Sequence, residues 1–381
     1  MNTGRSATVN TNNNLTKSRV VFRDVSNRVK QDGASRLGKG KQKQKRTVHT
    51  AYSAAVAARK KTSLPKTVDG SSGGGVKTSI NRAYPRSSEP KLPSSKYTNN
   101  AASTRARDID ARDKGDPLMV TDYVQDMFQY FREQESRAIA SPYLFDDDNH
   151  DALQPEINSR MRAILVDWLV DIHHKMKCEP TVLYLTVQIL DRFLAADANK
   201  ASKKNLQLIG TSAFLIASKY EQIFPVPISD LVYVCDRIYT EDDIISMETN
   251  ILKALNYQIS LPTSHNFLLR FLNAAHADKK LVFLTQFILE TSLHSYELVI
   301  KYTSSQLAAA AVLIGRISIG RNNWSPTLVK YAEYSEEDVI PIARDVMEEN
   351  KKLRFGLTAV KRKYSRDKYL KVASAALPSE F

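Results

Sequence analysis

The sequence predicts an all-α protein built from two similar helical repeats behind a disordered basic segment. The first observation is Leu206–Glu221 (LQLIGTSAFLIASKYE), which is apolar on nearly every side when placed on a helix. Such a helix is normally enclosed by other helices. The second is Ser305–Ile317 (SQLAAAAVLIGRI), which repeats the pattern about 100 residues later, a period too long for a solenoid. The third is that strand patterns are almost absent.

The preceding segments support a duplication. Leu183–Asp191 (LYLTVQILD) matches Phe283–Glu290 (FLTQFILE) at nearly the same offset. Two segments in register favour two copies of one helical domain over a chance similarity between two Leu- and Ala-rich helices. With 381 residues, 42% of them hydrophobic, the chain is long enough to bury two cores.

Cysteine usage and hydropathy limit the class of protein. The two cysteines, Cys178 and Cys235, are far apart and lack the spacing of a metal site. We therefore expect reduced thiols in an intracellular protein, with no metal and no cofactor. No apolar run reaches the ~18 residues that cross a membrane, and the amino terminus has no signal-peptide core.

The net charge of +14 belongs to one part of the chain, because residues 1–115 hold the excess of Lys and Arg and the remainder carries almost no net charge. This distribution argues against direct nucleic-acid binding by the folded part. Residues 1–115 are poor in large apolar side chains and rich in Ser, Thr, Asn, Gly and Lys. They are predicted to form a disordered basic regulatory tail.

The tail carries a candidate nuclear-import signal. Its two basic clusters, Lys39–Arg46 and Arg59–Lys61, are separated by a short spacer. Such a pair can engage the acidic grooves of a nuclear-import receptor, which predicts a protein of nucleus and cytoplasm. A solvated charge run is the alternative. The candidate contacts are Lys45, Arg46, Arg59, Lys60 and Lys61.

An amphipathic helix is predicted to begin near Asp116-Pro117 and to pack on the first repeat. Its apolar positions at helical spacing are Met119, Tyr123, Met127 and Tyr130. With this leading helix the first repeat spans residues 116–260, and its last helix begins after Thr240 as a cap. The second repeat and a basic coda (Ala359–Ala373) span residues 261–373, and residues 374–381 are the tail end.

The helix Ser159–Met176 has two apolar stripes on a helical wheel. One stripe is enough to face a core, so the second is either buried against more helices or exposed as a groove for a partner peptide. The first stripe holds Ala163, Val166 and Val170, and the second holds Met161, Ile164, Leu165, Trp168 and Ile172.

No catalytic arrangement is recognisable in the sequence. It has no Gly-rich phosphate loop, no paired Cys or His ligands, and no Ser or Cys nucleophile in a known context. The sequence therefore predicts an interaction protein and not an enzyme.

Three motifs occur within two five-helix repeats that follow a basic tail: MRAILVDWLV (Met161–Val170), DRFL (Asp191–Leu194) and ASKYE (Ala217–Glu221). Together they resemble the motifs of the mitotic A/B cyclins. YSEEDV (Tyr334–Val339) and the coda are more similar to B-type cyclins. The resemblance implies a regulatory subunit that binds and activates a cyclin-dependent protein kinase at the G2/M transition and in mitosis.

The resemblance also implies binding residues. Lys219 and Glu248 match the pair that hydrogen-bonds the kinase near its mobile αC helix. Asp171 is similar to the acidic residue that pairs with the arginine of Arg-x-Leu sequences in substrates or inhibitors. The apolar positions that match this docking patch are Met161, Ile164, Leu165, Trp168 and Ile172, with Gln207 beside them.

Arg19–Asn27 (RVVFRDVSN) is similar to the destruction box that delivers mitotic cyclins to a ubiquitin ligase at mitotic exit. Arg19 and Asn27 fit that motif, whereas Phe22 stands where leucine is usual. The resemblance implies timed destruction through the ubiquitin–proteasome pathway. A chance match in a basic tail is the alternative.

Other functions remain open on the sequence. An A-type cyclin acting in S phase and G2 shares most of the motifs. A two-repeat transcription factor of the TFIIB type shares the fold, but it would need a basic face and often a zinc ribbon, and the sequence has neither. A plain helical scaffold is the third alternative.

Overall fold

The computed structural model describes residues 106–144, 153–196, 201–321, 324–352 and 356–378. Within these ranges the chain is helical, and the one β-bridge, between Leu144 and Gln154, belongs to no strand. The predicted all-α class with two helical repeats is confirmed. Residues 1–105 lie outside the described residues, and with them the candidate destruction box and both import clusters.

The described helices follow the predicted order. Helix α1 spans Val124–Ala138 and precedes the repeats. The first repeat consists of α2 (Ser159–Met176), α3 (Pro180–Ala196), α4 (Leu206–Glu221), α5 (Ile228–Val234) and α6 (Glu241–Ala254). The second consists of α7 (Ser264–Ala274), α8 (Lys279–Ser292), the short α9 (Tyr296–Lys301), α10 (Ser304–Ser318), α11 (Pro326–Ala332) and α12 (Glu336–Lys352). The coda forms α13 (Ala359–Tyr364) and two 3₁₀ turns, Asp367–Tyr369 and Val372–Ser374.

Helices α4 and α10 are the centres of the two repeats, as their all-round apolar patterns predict. Helix α4 packs against α2, α3 and α6, and α10 packs against α7, α8 and α12. Glycine allows the closest approaches. A Cβ atom on Gly210 of α4 would lie 3.0 Å from Leu165 Cδ1, and one on Gly315 of α10 would lie 2.7 Å from Thr285 Cγ2. A larger side chain at either position would require the side chains of Leu165 or of Thr285 and Leu281 to shift.

Side-chain caps fix where several helices begin. Thr240 forms a capping box with Asp243 at the start of α6, which confirms the predicted cap. Thr303 and Gln306 make the same reciprocal arrangement at the start of α10. These bonds satisfy backbone N–H groups that have no partner within the helix.

The leading helix packs differently from the prediction, because α1 packs mainly on the second repeat, against α10 and Phe267 of α7. Phe128 and Phe131 form edge-to-face contacts with Phe267 of α7, at centroid distances of 6.1 and 6.3 Å. The positions expected to be covered are exposed instead: Met119, Tyr123, Met127 and Tyr130. The predicted start near Asp116-Pro117 was also wrong, because α1 begins at Val124 and the first two of these positions precede it. Helical spacing identifies an apolar stripe, but it does not say which of two stripes meets the core.

Polar residues of α1 complete its attachment. The Arg132 guanidinium donates hydrogen bonds to Ser305 Oγ (3.0 Å) and to the Tyr334 hydroxyl (2.8 Å). The Glu135 carboxylate accepts from the Ser305 backbone N–H (3.0 Å) and hydroxyl (2.9 Å). Because Ser305 lies in the first turn of α10, this carboxylate also meets the positive end of the helix dipole.

The disordered tail was predicted to extend to residue 115, but the prediction was wrong for residues 106–115, which the structure describes as packed on the second repeat. Ile109 is buried in the core of the second repeat. The Asp110 carboxylate pairs with the Arg270 guanidinium, at 2.7 Å for one of the two contacts. The Arg107 backbone N–H donates to Thr327 Oγ1 (3.2 Å). A single buried isoleucine among charged residues gives too weak a pattern for a sequence-based boundary.

Helix α2 contributes to two cores. Val166 and Val170 lie in the core of the second repeat, whereas Leu165, Leu169 and Ile172 lie in the core of the first. All five side chains are at most 3% exposed. The helix therefore lies between the repeats and packs into both cores, which explains why it carries two apolar stripes.

Between these stripes, Arg162 is completely buried and joins the two repeats. Its guanidinium donates to both carboxylate oxygens of Asp191 on α3, each at 2.7 Å. It also donates to the backbone carbonyls of Leu293 (3.0 Å) and His294 (3.2 Å) in the second repeat. The Tyr143 hydroxyl donates to the same carboxylate (2.8 Å). Burial opposes the charge of Arg162, but the Asp191 carboxylate outweighs it and raises the pKa of the guanidinium.

We expect Arg162→Met to lower the free energy of unfolding by about 3–5 kcal/mol, because the Asp191 carboxylate would remain buried without its partner. Arg362→Met is the matched control, since it removes an arginine from a pair whose side chains are 48% and 41% exposed. That control should cost at most about 1 kcal/mol. Urea unfolding of the full chain measures both. Equal losses in the two variants would contradict the joining role of Arg162.

Candidate functional site

The structure brings Lys219 and Glu248 together. Lys219 lies in the last turn of α4, and its Nζ donates to both carboxylate oxygens of Glu248 on α6, at 2.7 and 2.9 Å. The lysine side chain is 49% exposed and the glutamate side chain 12%. Glu248 is held in place because Ile244 and Ile251 on the same helix are fully buried. The pair therefore presents a positioned ammonium group to solvent and keeps carboxylate lone pairs for a further donor.

Exposed apolar side chains occur next to this pair in the chain. Ile223 and Phe224, in the turn after α4, are 84% and 87% exposed. Tyr220, which follows Lys219, and Ile245, one turn before Glu248 on α6, are also exposed. Large apolar groups so close to an ordered charge pair are typical of a protein-binding surface. Sequence reasoning missed Ile223 and Phe224, although the IFPVP segment shows an apolar pair in a Pro-bounded loop.

The docking patch on α2 is partly core. Leu165 and Ile172 are 2% and 3% exposed and belong to the core of the first repeat. Met161 and Trp168 are partly buried against the same core, and Ile164 is also partly exposed. The second stripe of α2 thus divides lengthwise into a buried row and an accessible row. Gln207 at the start of α4 is likewise partly exposed.

Asp171, the acidic residue of the docking patch, already has a partner within the chain. The Arg362 guanidinium of α13 donates from Nη2 to both carboxylate oxygens of Asp171. These hydrogen bonds raise the pKa of Arg362. Sequence reasoning placed Asp171 correctly at the edge of α2 but did not anticipate this contact, because nothing in the pattern of α2 refers to the coda.

The coda is anchored by a buried polar cluster. Lys363 Nζ donates to both carboxylate oxygens of Glu290 on α8, at 2.6 and 2.8 Å, and the Tyr364 hydroxyl donates to the same carboxylate at 2.8 Å. Nearby, burial lowers the pKa of His173 and of His265 to about 4. Both imidazoles are therefore neutral at physiological pH, and the Glu290 charge is balanced by Lys363.

In the part of the chain that the structure describes, no group of three or more His, Cys, Asp or Glu side chains is arranged to hold a metal ion. None of the described helices is long and apolar enough to span a membrane. Cys178 and Cys235 are free thiols, the second of them buried.

Models of two protein-family domains match the chain. "Cyclin, N-terminal domain" matches residues 126–260, and "Cyclin, C-terminal domain" matches residues 262–378. Together they cover both helical repeats and the coda.

Curated relatives from plants match the same part of the chain. Cyclin-B2-1 of Oryza sativa subsp. japonica is 40% identical over 264 residues, which are 69% of this chain and 61% of the rice protein. G2/mitotic-specific cyclin-2 of Medicago sativa is 39% identical over 264 residues, which are 78% of that protein. The chain thus matches about three fifths of the length of the rice relative. A solved viral cyclin from herpesvirus saimiri aligns with a TM-score of 0.47 at 24% identity, over 53% of this chain and 89% of the viral one.

Shortening a side chain to alanine should lower the free energy of unfolding more in the buried row of the second α2 stripe than in its accessible row. We expect Leu165→Ala to cost about 2–5 kcal/mol, because it opens a cavity between α2 and α4. Met161→Ala is the matched comparison and should cost about 1 kcal/mol or less, because its side chain is partly in solvent. Urea unfolding of the full chain measures both. A similar loss for the two variants would mean that Met161 is as firmly packed as Leu165.

Proposed function

This chain belongs to the cyclin family, and on that premise we propose that it binds and activates a cyclin-dependent protein kinase at the G2/M transition and in mitosis. The observation that carries the proposal is the Lys219–Glu248 pair, held between α4 and α6 beside exposed apolar side chains. Relatives that are named as B2-type and G2/mitotic-specific cyclins favour mitosis over the S phase of an A-type cyclin. The chain itself acts as a regulatory subunit and not as an enzyme.

In the proposed mechanism, the chain holds the αC helix of the kinase in its active position. A protein kinase is active when the glutamate of its αC helix pairs with the strand lysine that holds the ATP phosphates. Lys219 and Glu248 offer a donor and an acceptor at fixed positions, so they can hydrogen-bond backbone groups near that helix. Ile223 and Phe224 supply apolar surface for the same contact. The binding free energy would then hold the kinase helix in its active position.

Substrate selection is the second part of the proposal. Met161, Ile164 and Trp168 form an accessible apolar row on α2, and Asp171 lies one turn beyond Trp168. This row suits the leucine of an Arg-x-Leu sequence in a substrate or inhibitor, and Asp171 suits its arginine. The buried Leu165 and Ile172 support the row from beneath.

The tail is proposed to control the lifetime and location of the protein. The candidate destruction box with Arg19, Phe22 and Asn27 would recruit the ubiquitin ligase of mitotic exit. The basic clusters that contain Lys45–Arg46 and Arg59–Lys61 would bind a nuclear-import receptor, so the protein would occupy nucleus and cytoplasm. Both motifs precede the described residues, and the candidate kinase and docking contacts all follow them.

Kinase binding tests the main proposal. We expect Lys219→Ala/Glu248→Ala to weaken the affinity for a purified mitotic cyclin-dependent kinase at least a hundredfold, since each charge-assisted hydrogen bond contributes about 1.5–3 kcal/mol. A titration and an assay of histone phosphorylation measure the loss. The fold should be unaffected, because an exposed pair contributes at most about 1 kcal/mol to stability.

The charge swap Lys219→Glu/Glu248→Lys is the control for a structural role. It keeps an ion pair between α4 and α6 but exchanges the donor and the acceptor that the kinase would meet. We expect the swap to bind as weakly as the double alanine variant. Restored binding in the swapped variant would show that the pair serves the fold of the first repeat and does not recognise the kinase.

The proposed role of the tail predicts that a chain starting at Ala106 activates the kinase normally and persists through mitotic exit. This start keeps Ile109 and Asp110, which pack on the second repeat. A full chain with Arg19→Ala/Phe22→Ala should persist in the same way. Immunoblots of synchronised cells follow both proteins. Disappearance of the shortened chain on the normal schedule would place the degradation signal after residue 105.

A further inference from the structure

The coda runs along one face of α2, and successive residues of the coda contact successive residues of that face. Asp167, Asp171 and His174 lie at positions i, i+4 and i+7 of α2, so they share that face. Asp167 Oδ1 accepts from the Ala359 backbone N–H (2.9 Å) at the start of α13, Asp171 from the Arg362 side chain, and His174 contacts the Arg366 side chain. The coda therefore bonds to both carboxylates of this face, to Asp167 through backbone N–H groups and to Asp171 through the Arg362 guanidinium.

The Arg362 contact differs from the contacts that hold the coda in place. Lys363 and Glu290 are 6% and 2% exposed, and the Tyr364 ring is buried beside them. Arg362 and Asp171 are 48% and 41% exposed. An exposed ion pair is weak and exchanges readily, whereas a buried hydrogen-bonded pair does not. The Arg362 side chain can therefore leave Asp171 while α13 stays on α8.

Asp171 is also the carboxylate that an incoming peptide would need. It lies one turn after Trp168 and two turns after Ile164, on the same side of α2. Both of its oxygens accept from Arg362 Nη2, so a second guanidinium cannot form a bidentate pair until Arg362 moves away. Among the described residues, none is seen to occupy the site of the peptide leucine in this way, since Met161 and Trp168 are partly exposed.

We infer that Arg362 is an internal competitor for the arginine of docking peptides at Asp171, and that it weakens Arg-x-Leu docking in the native protein. This inference rests on the proposed docking function of α2. Its consequence is that the native protein selects peptides more by the apolar residue than by the arginine. Removal of the Arg362 charge would restore the contribution of the peptide arginine.

Peptide binding to the full chain tests the competition. The probes are two fluorescent peptides that differ at one position, Arg-x-Leu and Gln-x-Leu, and the readout is fluorescence anisotropy. We expect Arg362→Gln to tighten binding of the Arg-x-Leu peptide by up to about fivefold and to leave the Gln-x-Leu peptide unchanged. High salt should reduce the gain, because exposed charges are screened.

Lys361→Gln is the matched control. Lys361 is an exposed cation one position earlier on α13, and its substitution removes the same charge while it leaves the Arg362–Asp171 pair in place. An equal gain in this variant would overturn the inference, because it would reveal a general effect of positive charge. Weaker binding of both peptides to Arg362→Gln would also overturn it, since Arg362 would then support the docking surface.

The design separates this inference from the proposed docking function. If the wild type binds the Arg-x-Leu peptide and loses affinity on Met161→Ala, docking stands, and an unchanged affinity of Arg362→Gln overturns the competition alone. If neither peptide binds the wild type or Arg362→Gln, docking itself is wrong and the competition is overturned with it. Phosphorylation of a peptide without the docking sequence should be the same in the wild type and in Lys361→Gln.

Discussion

The fold depends on the complete burial of one cation, Arg162. A guanidinium inside a protein is tolerated only when its donors are met, and here they are met from both repeats: by Asp191 of the first and by the Leu293 and His294 carbonyls of the second. Neither repeat alone supplies the full set. The large cost of leaving this charge unpaired therefore fixes how α2, α3 and the end of α8 come together.

This constraint makes α2 the element that the two cores and the proposed docking surface share. Two of its faces pack into the two cores, and what remains is a narrow accessible row with Met161, Ile164 and Trp168 and an acidic edge with Asp171. The coda forms hydrogen bonds with that edge. Any ligand of α2 therefore binds against a rigid wall, since the row cannot shift without disturbing both cores.

Two Arg–Asp pairs in this protein have different roles because one is buried and the other is exposed. The Arg162–Asp191 side chains are 0% and 7% exposed, and their hydrogen bonds cannot be exchanged without opening the interface between the repeats. The Arg362–Asp171 side chains are about half exposed, and water or another guanidinium can replace either partner. The Lys219–Glu248 pair lies between these cases, with a partly buried acceptor and an exposed donor, which suits the proposed recognition of a partner.

The sequence by itself determined the helical class, the two central helices α4 and α10 and the cap at Thr240, because each follows from residues a few positions apart. Only the tertiary structure decided which stripe of α1 is covered, that Leu165 and Ile172 are core, and that Arg362 occupies Asp171. These contacts join residues that are far apart in the chain. A local pattern records the period of a helix but not the identity of the neighbour that each face will meet.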